Sequence, residues 1–441
     1  MINPLDAIED KAFGKLQIGL IGYGTVGQGV VKILRSNRTA FQKRYNAEFN
    51  IRTICDRSID KKRIHGLRSV KRTKKYQDVV NDPAIDIVVE LIGGKHPAKE
   101  IVEQALRNGK DVITANKDLI ANHGLELFKI AQQHGRHLYY ESAVGAGIPM
   151  IKTVSETIAG NAYRGIYGII NGTCNFILDE MSKKLCSFDD ALAEAQKRGY
   201  AEADPTLDVN GMDSTHKLAI LTFLAFQRML PVKSIYTEGI TDISHIDIAY
   251  AESLDLCIKL LAIAKESKGG LEARVHPTLI SKDHPLAAVH GVYNAIYLDA
   301  DPLGKVMLTG EGAGQMAAAS GVIADLINAA NAPNNPMYCN HFTQNQALRP
   351  RRIDHIETKF YIRIHAVDEP GVLSQVTGIL GRAGIGINSV SQQQHDGALK
   401  AVPVIMLTDY TTEKVVRTAL KKIQKLDTVR HKPVAIRMEK L

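Results

Sequence analysis

A short apolar run that leads directly into three closely spaced glycines constrains the fold of this chain more than any other feature. Residues 15–22 (KLQIGLIG) predict a buried β-strand, which continues into a Gly-x-Gly-x-x-Gly motif at residues 22–27. Apolar residues at helical spacing follow the motif and predict an amphipathic helix. A strand, a glycine-rich turn and a helix in this order form the first part of a βαβ unit.

The same unit repeats over the first 140 residues. Further strands are predicted at residues 49–56, 85–92 and 111–114, and a helix at residues 97–108. Strands that alternate with helices at this spacing pair in parallel. We therefore expect an α/β fold in which a Rossmann-type, doubly wound parallel sheet forms a dinucleotide-binding domain over residues 1–140.

The glycines suit a bound dinucleotide. Gly22 permits a tight turn, Gly24 lets the backbone approach a pyrophosphate, and Gly27 lets the helix pack close to the sheet. Unpaired N–H groups at the start of the helix can then bind the phosphates. The alternative is a glycine-rich turn without a ligand, which the repeating β/α context disfavours. Contacts to the cofactor are predicted from Gly22, Tyr23, Gly24, Thr25, Val26 and Gly27.

The choice between NAD and NADP stays open. Asp56 ends the second predicted strand, where a carboxylate can hold the adenine ribose hydroxyls. Arg57 stands next to it and can meet a 2′-phosphate. Both preferences are therefore represented at one place in the sequence.

The rest of the chain predicts two further domains and a linker. Residues 141–330 combine strands at 164–170, 273–280, 291–297 and 305–308 with long helices at 213–229 and 248–266. We expect an α+β domain for substrate binding and dimerisation. Residues 331–357 have linker composition, rich in Asn and Pro. Residues 358–441 show the order βαββαβ, which is typical of a ferredoxin-like fold.

Composition excludes several classes of protein. A content of 45% hydrophobic and 23% charged residues is that of a soluble globular protein, and no apolar run approaches the roughly 20 residues that cross a bilayer. The acidic start of the chain is unlike a signal peptide. Five scattered cysteines without a CxxC motif favour free thiols in the cytoplasm.

The net charge of +8 comes largely from nine basic residues between Arg57 and Lys75, which lack interleaved aromatic residues. We expect a solvated surface that attracts an anionic cofactor, and not a nucleic-acid site.

The most specific stretch is residues 199–217, in which Tyr-x-Glu-x-Asp-Pro leads to Asp-x-x-Gly-x-Asp-x-x-x-Lys. This stretch resembles the signature segment of homoserine dehydrogenases. Residues 114–117 (TANK), 141–149 (ESAVGAGIP) and 171–175 (NGTCN) agree with the same family. With the glycine motif they cover residues 15 to about 330 in family order.

The resemblance implies that Lys217 and Lys117 lie near the reacting oxygen of the substrate. Asp213 and Lys217 are four residues apart, so on a helix they share one face. A lysine of lowered pKa can give and take the alcohol proton. An i,i+4 ion pair that caps a buried helix is the alternative for Asp213 and Lys217. Which lysine transfers the proton is left open.

The resemblance also implies the ligands of the substrate and of a cation. Glu202 and Asp208 should hold the substrate ammonium, with Gly199 opening the segment, and Asp213 should contact the hydroxyl end or orient Lys217. Glu141 and the backbone carbonyls of Val144, Ala146 and Ile148 match the family's loop for sodium or potassium, with an empty tight turn as the alternative. Further cofactor contacts are implied at Gly93, Ala115, Lys117 and Gly314. The sequence departs from the commoner family pattern after Gly314.

Residues 367–388 resemble an ACT domain, a small module that senses amino acids. The helix that follows Gly371 can receive a ligand carboxylate at its N-terminus, and Asn388 lies where family members contact the ligand. We expect a regulatory amino acid, threonine, to bind there and inhibit the enzyme. A domain that serves dimerisation alone is the alternative.

The resemblance implies the reversible exchange of L-aspartate 4-semialdehyde and NAD(P)H with L-homoserine and NAD(P)+, within threonine, methionine and isoleucine biosynthesis, by a homodimer or homotetramer. Aspartate-semialdehyde dehydrogenase is a second possibility, for which only Cys174 could serve as the nucleophile. A sensor that keeps an inactive dehydrogenase fold is a third. Retention of Glu202, Asp213, Lys217 and Lys117 argues against the sensor.

Overall fold

The computed structural model describes residues 14–62, 70–267, 270–331, 348–392 and 401–441. They form two compact units, each assembled from separate stretches of chain. The first unit draws on Met1–Ala162, Ala219–Val232 and Leu308–Asn345, and the second on Tyr163–Leu218, Lys233–Met307 and Gln346–Leu441. Most of the predicted linker, Cys339 and the middle of the basic cluster (63–69) lie outside the described residues.

Strands and helices alternate through much of the chain. The strands are β1 (Gly14–Ile21), β2 (Ala47–Cys55), β3 (Lys71–Thr73), β4 (Ile87–Glu90), β5 (Asp111–Thr114), β6 (Leu138–Tyr139), β7 (Ala162–Ile169), β8 (Tyr236–Thr237), β9 (Leu256–Ser267), β10 (Gly270–Ser281), β11 (Tyr293–Asp301), β12 (Gly304–Glu311), β13 (Glu357–Ala366), β14 (Ile387–Gln392), β15 (Val402–Thr408), β16 (Thr411–Thr412) and β17 (Val434–Met438). The α-helices are α1 (Thr25–Ser36), α2 (Arg38–Tyr45), α3 (Gln77–Val80), α4 (Ala98–Arg107), α5 (Lys117–Gln133), α6 (Met150–Lys152), α7 (Gly172–Lys184), α8 (Phe188–Lys197), α9 (Thr206–Val209), α10 (Met212–Phe226), α11 (His245–Ser253), α12 (Gln315–Asn331), α13 (Val372–Arg382) and α14 (Glu413–Ile423). Among the described residues, no helix is both long enough and apolar enough to cross a membrane.

The first unit contains the predicted parallel sheet. Its six strands run in the order β3-β2-β1-β4-β5-β6, and every pair is parallel. Ile18, Leu20, Val88 and Val89 of the central strands are fully buried, because helices cover both faces of such a sheet. The strand order reverses between β1 and β4, and open α/β sheets bind their ligands at this kind of switch point. The predicted Rossmann-type fold is confirmed.

Helix α12 packs closely against α1 within the first unit. A Cβ added at Gly29 would lie 2.9 Å from the Cβ of Ala319 and 2.8 Å from the carbonyl oxygen of Gln315. The absence of a side chain at Gly29 therefore permits this approach. It brings the glycine-rich loop that ends at Gly314 next to the start of α1.

The second unit is built on a mixed sheet in the order β12-β11-β7-β9-β10-β17-β13-β15-β14, with β8 paired to β10 and β16 paired to β13. Its C-terminal part has the ferredoxin-like strand order β17-β13-β15-β14, with α13 and α14 packed on apolar residues such as Ile362, Leu380, Met406 and Ile423. This confirms the predicted C-terminal fold. Strand β17 also pairs in parallel with β10, at Thr278–Arg437 and Leu279–Met438. The C-terminal fold therefore continues the sheet of the α+β region.

The long helix predicted at residues 248–266 is wrong. Helix α11 ends at Ser253, and residues 256–267 form strand β9. Every residue from Ile258 to Ala264 is buried, so both faces of this strand are covered. A strand of this kind shows no polar alternation, and its apolar run satisfies helical spacing equally well.

Candidate active site

The turn between β1 and α1 needs its glycines for different reasons. Gly22 has φ +99°, and a Cβ there would lie 2.7 Å from the backbone of Leu91. A Cβ at Gly27 would lie 2.2 Å from the carbonyl oxygen of Gly22. At Gly24, φ is −81° and no described heavy atom lies within 4 Å of an added Cβ. The protein itself therefore requires glycine at positions 22 and 27 but not at position 24.

The start of α1 is suited to an anion. Its N-cap residue, Gly24, has no side chain with which to cap the first turn, and that turn carries no acidic residue. The N–H groups there are consequently available to a ligand. Gln315 donates through Nε2 to the carbonyl oxygen of Thr25 at 3.0 Å, so the residue after Gly314 contacts the motif. A cavity of about 490 Å³ adjoins it, lined in part by Tyr23, Gln28 and Arg35.

Asp56 at the end of β2 is held by several donors. Its carboxylate accepts from the backbone N–H of Tyr23 at 2.9 Å and from the N–H and hydroxyl of Ser58 at 2.8 Å each. The Lys62 ammonium lies 2.7 Å away and also donates to the Tyr23 carbonyl oxygen. Burial alone would raise the pKa of Asp56, but these hydrogen bonds outweigh it and lower the pKa to about 2. Arg57 is exposed to solvent.

Further candidate residues lie at the same edge of the sheet, because β1, β4 and β5 are parallel. Gly93 follows β4 with φ +71° and no described atom within 4 Å of an added Cβ. Ala115 follows β5, and Lys117 is the first residue of α5. Asn116 is the N-cap of this helix, and its side chain accepts from the N–H of Leu119. The Asn116 side chain donates to the Gly94 carbonyl oxygen at 2.5 Å and ties the two loops together.

In the second unit, Lys217 and Asp213 form a buried ion pair. Both residues are less than 9% exposed, and the Lys217 Nζ lies 2.7 Å from Asp213 Oδ2. Lys217 also donates to the carbonyl oxygen of Ile170 at 2.6 Å. The i,i+4 spacing in α10 therefore places both charges on the buried face, where an unpaired ammonium would be costly.

Asn171 connects this pair to Asp208. Its side-chain nitrogen donates to Asp213 Oδ2 at 2.9 Å and to Asp208 Oδ1 at 2.7 Å. Its side-chain oxygen accepts from the N–H of Cys174 and caps α7. One amide thus fixes two carboxylates and the start of a helix. Sequence reasoning assigned Asn171 no role of its own, although an asparagine between a strand and a helix is a recognisable N-cap.

Glu202 and Gly199 are not part of the hydrogen-bond network that joins Lys217, Asp213, Asn171 and Asp208. Gly199 has φ +75° and ends the turn after α8. Glu202 is exposed, and among the described residues its carboxylate makes no hydrogen bond or ion pair. The neighbouring Asp204 caps the turn by accepting from the N–H and hydroxyl of Thr206.

The loop after β6 encloses a buried carboxylate. Glu141 accepts from the N–H groups of Ile151 and Lys152 at 2.9 Å each. Burial, opposed by these hydrogen bonds, raises the pKa of Glu141 to about 7. Its backbone N–H donates to the fully buried Asp325 at 2.9 Å. Burial likewise raises the pKa of Asp325.

The same loop contains the predicted cation carbonyls, those of Val144, Ala146 and Ile148. Ala146 has φ +52°, and Gly321 of α12 approaches so closely that a Cβ there would lie 2.5 Å from the Ala146 carbonyl oxygen. No cluster of three or more His, Cys, Asp or Glu side chains that could hold a metal occurs in the described part of the chain. A site here would depend on backbone carbonyls.

Comparison with known proteins identifies the family. The family described as "Homoserine dehydrogenase" matches residues 149–327, "Homoserine dehydrogenase, NAD binding domain" matches residues 22–141, and "ACT domain" matches residues 360–427. A homoserine dehydrogenase of Neisseria gonorrhoeae is 40% identical over 97% of this chain and 99% of its own length. The chain belongs to the homoserine dehydrogenase family. It is thus an NAD(P)-dependent oxidoreductase that acts on the hydroxyl of homoserine, as the resemblance predicted.

Solved structures of the family agree. A homoserine dehydrogenase from Thiobacillus denitrificans aligns with a TM-score of 0.90 at 41% identity, over 96% of this chain and 98% of the other. A hyperthermophilic archaeal homoserine dehydrogenase in complex with NADPH aligns with a TM-score of 0.61 at 30% identity, over 71% of this chain and 97% of the other.

A glycine precedes the first helix of the C-terminal domain. Gly371 is the N-cap of α13, with φ +91° and no described atom within 4 Å of an added Cβ. Asn388 is exposed on β14 and donates to the Thr408 carbonyl oxygen at 3.5 Å. A cavity of about 40 Å³ is lined in part by Asp368, three residues before Gly371, and by Gln392, four residues after Asn388.

Cys174 is a poor nucleophile in this setting. It is buried, its thiol donates to the Asp208 carbonyl oxygen at 3.1 Å, and burial raises its pKa well above the ordinary value. A catalytic cysteine needs a lowered pKa. The geometry therefore disfavours the aspartate-semialdehyde dehydrogenase alternative.

Proposed function

We propose that this chain interconverts L-aspartate 4-semialdehyde and L-homoserine reversibly, within threonine, methionine and isoleucine biosynthesis. The observation that carries the proposal is the buried Lys217–Asp213 pair, linked through Asn171 to Asp208. Full-length relatives named homoserine dehydrogenase support it. Cys55, Cys174, Cys186 and Cys257 are free thiols, which fits a cytoplasmic enzyme.

A bound dinucleotide would supply hydride transfer to and from the substrate carbon that carries the reacting oxygen. Lys217 takes the hydroxyl proton during oxidation and gives it back during reduction. Asp213 and the Ile170 carbonyl oxygen orient its Nζ, so that the proton is exchanged at one fixed position. Lys117, at the carboxyl edge of the parallel sheet, is the second candidate for this role.

Two carboxylates are proposed to bind the substrate ammonium. Asp208 is positioned by Asn171, next to the Lys217–Asp213 pair. Glu202 presents an exposed carboxylate, and the positive φ of Gly199 shapes the turn that leads to it. An ammonium favours such acceptors because charge-assisted hydrogen bonds are stronger than neutral ones.

The glycine motif fits a dinucleotide, since the open space at Gly24 and the uncapped first turn of α1 suit a pyrophosphate. Thr25 and Val26 form the start of that turn. At the ribose position, Lys62 neutralises Asp56, and Arg57 stands beside it. A neutralised carboxylate next to cations tolerates a 2′-phosphate, so we propose that NADP is accepted as well as NAD.

We also propose a sodium or potassium ion in the loop of Glu141, Val144, Ala146 and Ile148. Support comes from the adjacent Asp325, whose buried Oδ1 has no hydrogen-bond partner in the described structure and would offset a cation's charge. A melting temperature that rises in sodium or potassium chloride, but not in choline chloride, would support this ion.

The ACT domain is proposed to bind threonine between the helix start at Gly371 and Asn388, and to inhibit the enzyme. The uncapped N-terminus of α13 suits the amino acid's carboxylate. We expect the enzyme to work as a homodimer or homotetramer. Inhibition that does not change with added L-threonine would favour a domain that serves dimerisation alone.

The test follows NAD(P)H absorbance during L-homoserine oxidation, with NAD+ and NADP+ supplied separately. Lys217→Ala should lower kcat by about a hundredfold or more, because the proton loses its acceptor. Lys110→Ala is the matched control: Lys110 is also buried and also donates to backbone carbonyls, those of Asp82 and Ile85, but it precedes β5, at the amino ends of the parallel strands, away from the loops predicted to bind the cofactor. Its kcat should stay near that of the unaltered enzyme.

Lys117→Ala in the same assay distinguishes the two lysines. Substitution of the lysine that transfers the proton should alter the pH profile of kcat, whereas substitution of the other should not. If folded protein oxidises homoserine with neither cofactor, the dehydrogenase proposal fails. The amino-acid sensor would then be the better description.

A further inference from the structure

The segment Tyr236, Thr237, Glu238, Gly239 and Ile240, which we call the strap, lies against the turn that precedes α10. A Cβ at Gly239 would lie 2.0 Å from the carbonyl oxygen of Val209. The N–H of Ile240 donates to that same oxygen at 2.9 Å. The strap therefore follows the backbone that leads into α10 at van der Waals distance, and we expect a displacement of one to displace the other.

The strap also binds the first turn of α10. The hydroxyl oxygens of Thr237 and Thr215 are 2.7 Å apart, and Thr215 donates to the carbonyl oxygen of Gly211 at 2.9 Å. Thr215 lies between Asp213 and Lys217 in sequence. Its hydroxyl thus joins the strap to the single helical turn that carries the buried ion pair.

On its other side, the strap is held by the C-terminal fold. Arg437 of β17 donates to Glu238 Oε2 and to the Tyr236 hydroxyl, at 2.9 Å each. It also donates to both carboxylate oxygens of Glu413, at 2.8 and 2.6 Å. The Tyr236 hydroxyl in turn donates to Glu238 at 2.5 Å.

Breaking any single bond of this network should cost much free energy. Arg437 is 3% exposed and Glu413 likewise, and a buried ion that loses one partner is strongly destabilised. Burial, assisted by the neighbouring carboxylate, raises the pKa of Tyr236 to about 12, so its hydroxyl keeps its proton at physiological pH. A shift of β17 or α14 is therefore expected to move the strap as a whole.

We propose that Tyr236 and Thr237 are positioning residues for the reaction: through them the C-terminal fold sets the geometry of the α10 turn that carries Asp213 and Lys217. The proposal rests on the catalytic role of Lys217 proposed above. It also gives the C-terminal fold a physical connection to the helix that carries Lys217, through which a regulatory ligand can act.

The test compares Thr237→Val and Tyr236→Phe with the unaltered enzyme in homoserine oxidation. Each change removes one hydroxyl and little volume. We expect kcat to fall about three- to tenfold and the pH profile of kcat to shift, with the KM for the dinucleotide unchanged. Thr237→Ser, which restores a hydroxyl, should recover most of kcat.

Tyr361→Phe is the matched control. Tyr361 is a buried tyrosine of the C-terminal fold that lies outside the strap, and its hydroxyl donates to the Asp247 carboxylate in α11 at 2.9 Å. It should lower the melting temperature as Tyr236→Phe does but leave kcat and its pH profile unchanged.

The proposal fails if the strap variants keep the kcat and pH profile of the unaltered enzyme. It also fails if Tyr361→Phe lowers kcat as much as they do. An unaltered enzyme without homoserine activity would instead overturn the proposed function, so the two failures are distinguishable.

Discussion

At the scale of single residues, the three glycines of the motif differ in whether the fold itself needs them. Gly22 and Gly27 are crowded by backbone atoms, whereas an added Cβ at Gly24 meets no described atom within 4 Å. A glycine in open space with an ordinary φ stabilises nothing in the protein. We propose that its value lies in letting a ligand approach the backbone from outside.

Gly24→Ala should therefore leave the melting temperature nearly unchanged and raise the KM for the dinucleotide, by about tenfold if one backbone contact to the pyrophosphate is lost. Gly27→Ala is the contrasting variant, and it should lower stability because its Cβ would lie 2.2 Å from the Gly22 carbonyl oxygen. Thermal melting and initial-rate kinetics on both variants check this. Unchanged cofactor KM in a folded Gly24→Ala variant would contradict it.

Residue types and spacing predicted much of the candidate site. The glycine motif, Asp56 and the i,i+4 pair of Asp213 and Lys217 are local patterns, and the structure places them as their spacing suggests. Lys62 was visible only as one of many basic residues, because its bond to Asp56 depends on the path of the intervening loop. The spacing of residues along the sequence does not show which side chains from separate loops will form hydrogen bonds or ion pairs after folding.

At the scale of elements, α12 and the loop after β6 hold two acidic side chains away from water. Glu141 has a pKa of about 7. Its pKa in the unfolded chain is about 4.5. The folded state therefore binds this proton more tightly, so its contribution to stability is present below pH 4.5 and is lost as pH rises through 7.

Glu141→Gln should remove this dependence. The difference in unfolding free energy between the unaltered protein and the variant should decrease by about 3 kcal/mol from pH 4.5 to pH 8, as a shift of this size implies. Denaturant unfolding across that range, in buffer free of sodium and potassium so that no cation favours the carboxylate, measures it. Glu103→Gln, in an exposed pair with Arg107, is the control. Parallel profiles for the Glu141 variant and the unaltered protein would count against the buried carboxyl as their source.

Element types were predictable where one face is exposed and not where both are covered. Helix α4 and strand β7 show the expected spacing of apolar residues, and both lie close to their predicted positions. Strand β9 was mistaken for a helix because its central residues are all buried. Periodicity carries no information when an element has no solvent face.

At the scale of the whole chain, the C-terminal fold is joined to the α+β region by buried charges as well as by β17. Glu439 accepts from Arg274 at 2.6 Å and also pairs with Lys265. Arg274 is 1% exposed. Several charged groups of the second unit therefore depend on residues at the end of the chain.

Glu439→Gln should lower the free energy of unfolding by about 3 kcal/mol, because the buried Arg274 guanidinium loses the nearer of its two charge partners and keeps only Glu272 at 3.5 Å. Glu194→Gln, which breaks a helix-surface pair with Arg198, should have a far smaller effect, because water already screens the two charges. Urea unfolding of the two variants provides the measurement. Equal losses would show that the buried pair contributes no more than a surface one.

The shared sheet itself could not be predicted from the sequence. The Asn- and Pro-rich stretch between residues 331 and 357 indicates a separate domain, and each fold has its own complete pattern of strands. The pairing of β10 with β17 joins residues about 160 positions apart over only two register pairs. No local pattern marks so short and distant a contact.

The place of β17 has a consequence for how the protein is made. This strand follows every other strand of the second unit along the chain, yet it lies inside the sheet, between β10 and β13. A ribosome releases β10 long before β17 is synthesised, and until then β10 presents unpaired backbone groups to other chains. Folding of the second unit is therefore expected to finish only after translation has passed β17, with a rate limited by the search for this distant pairing.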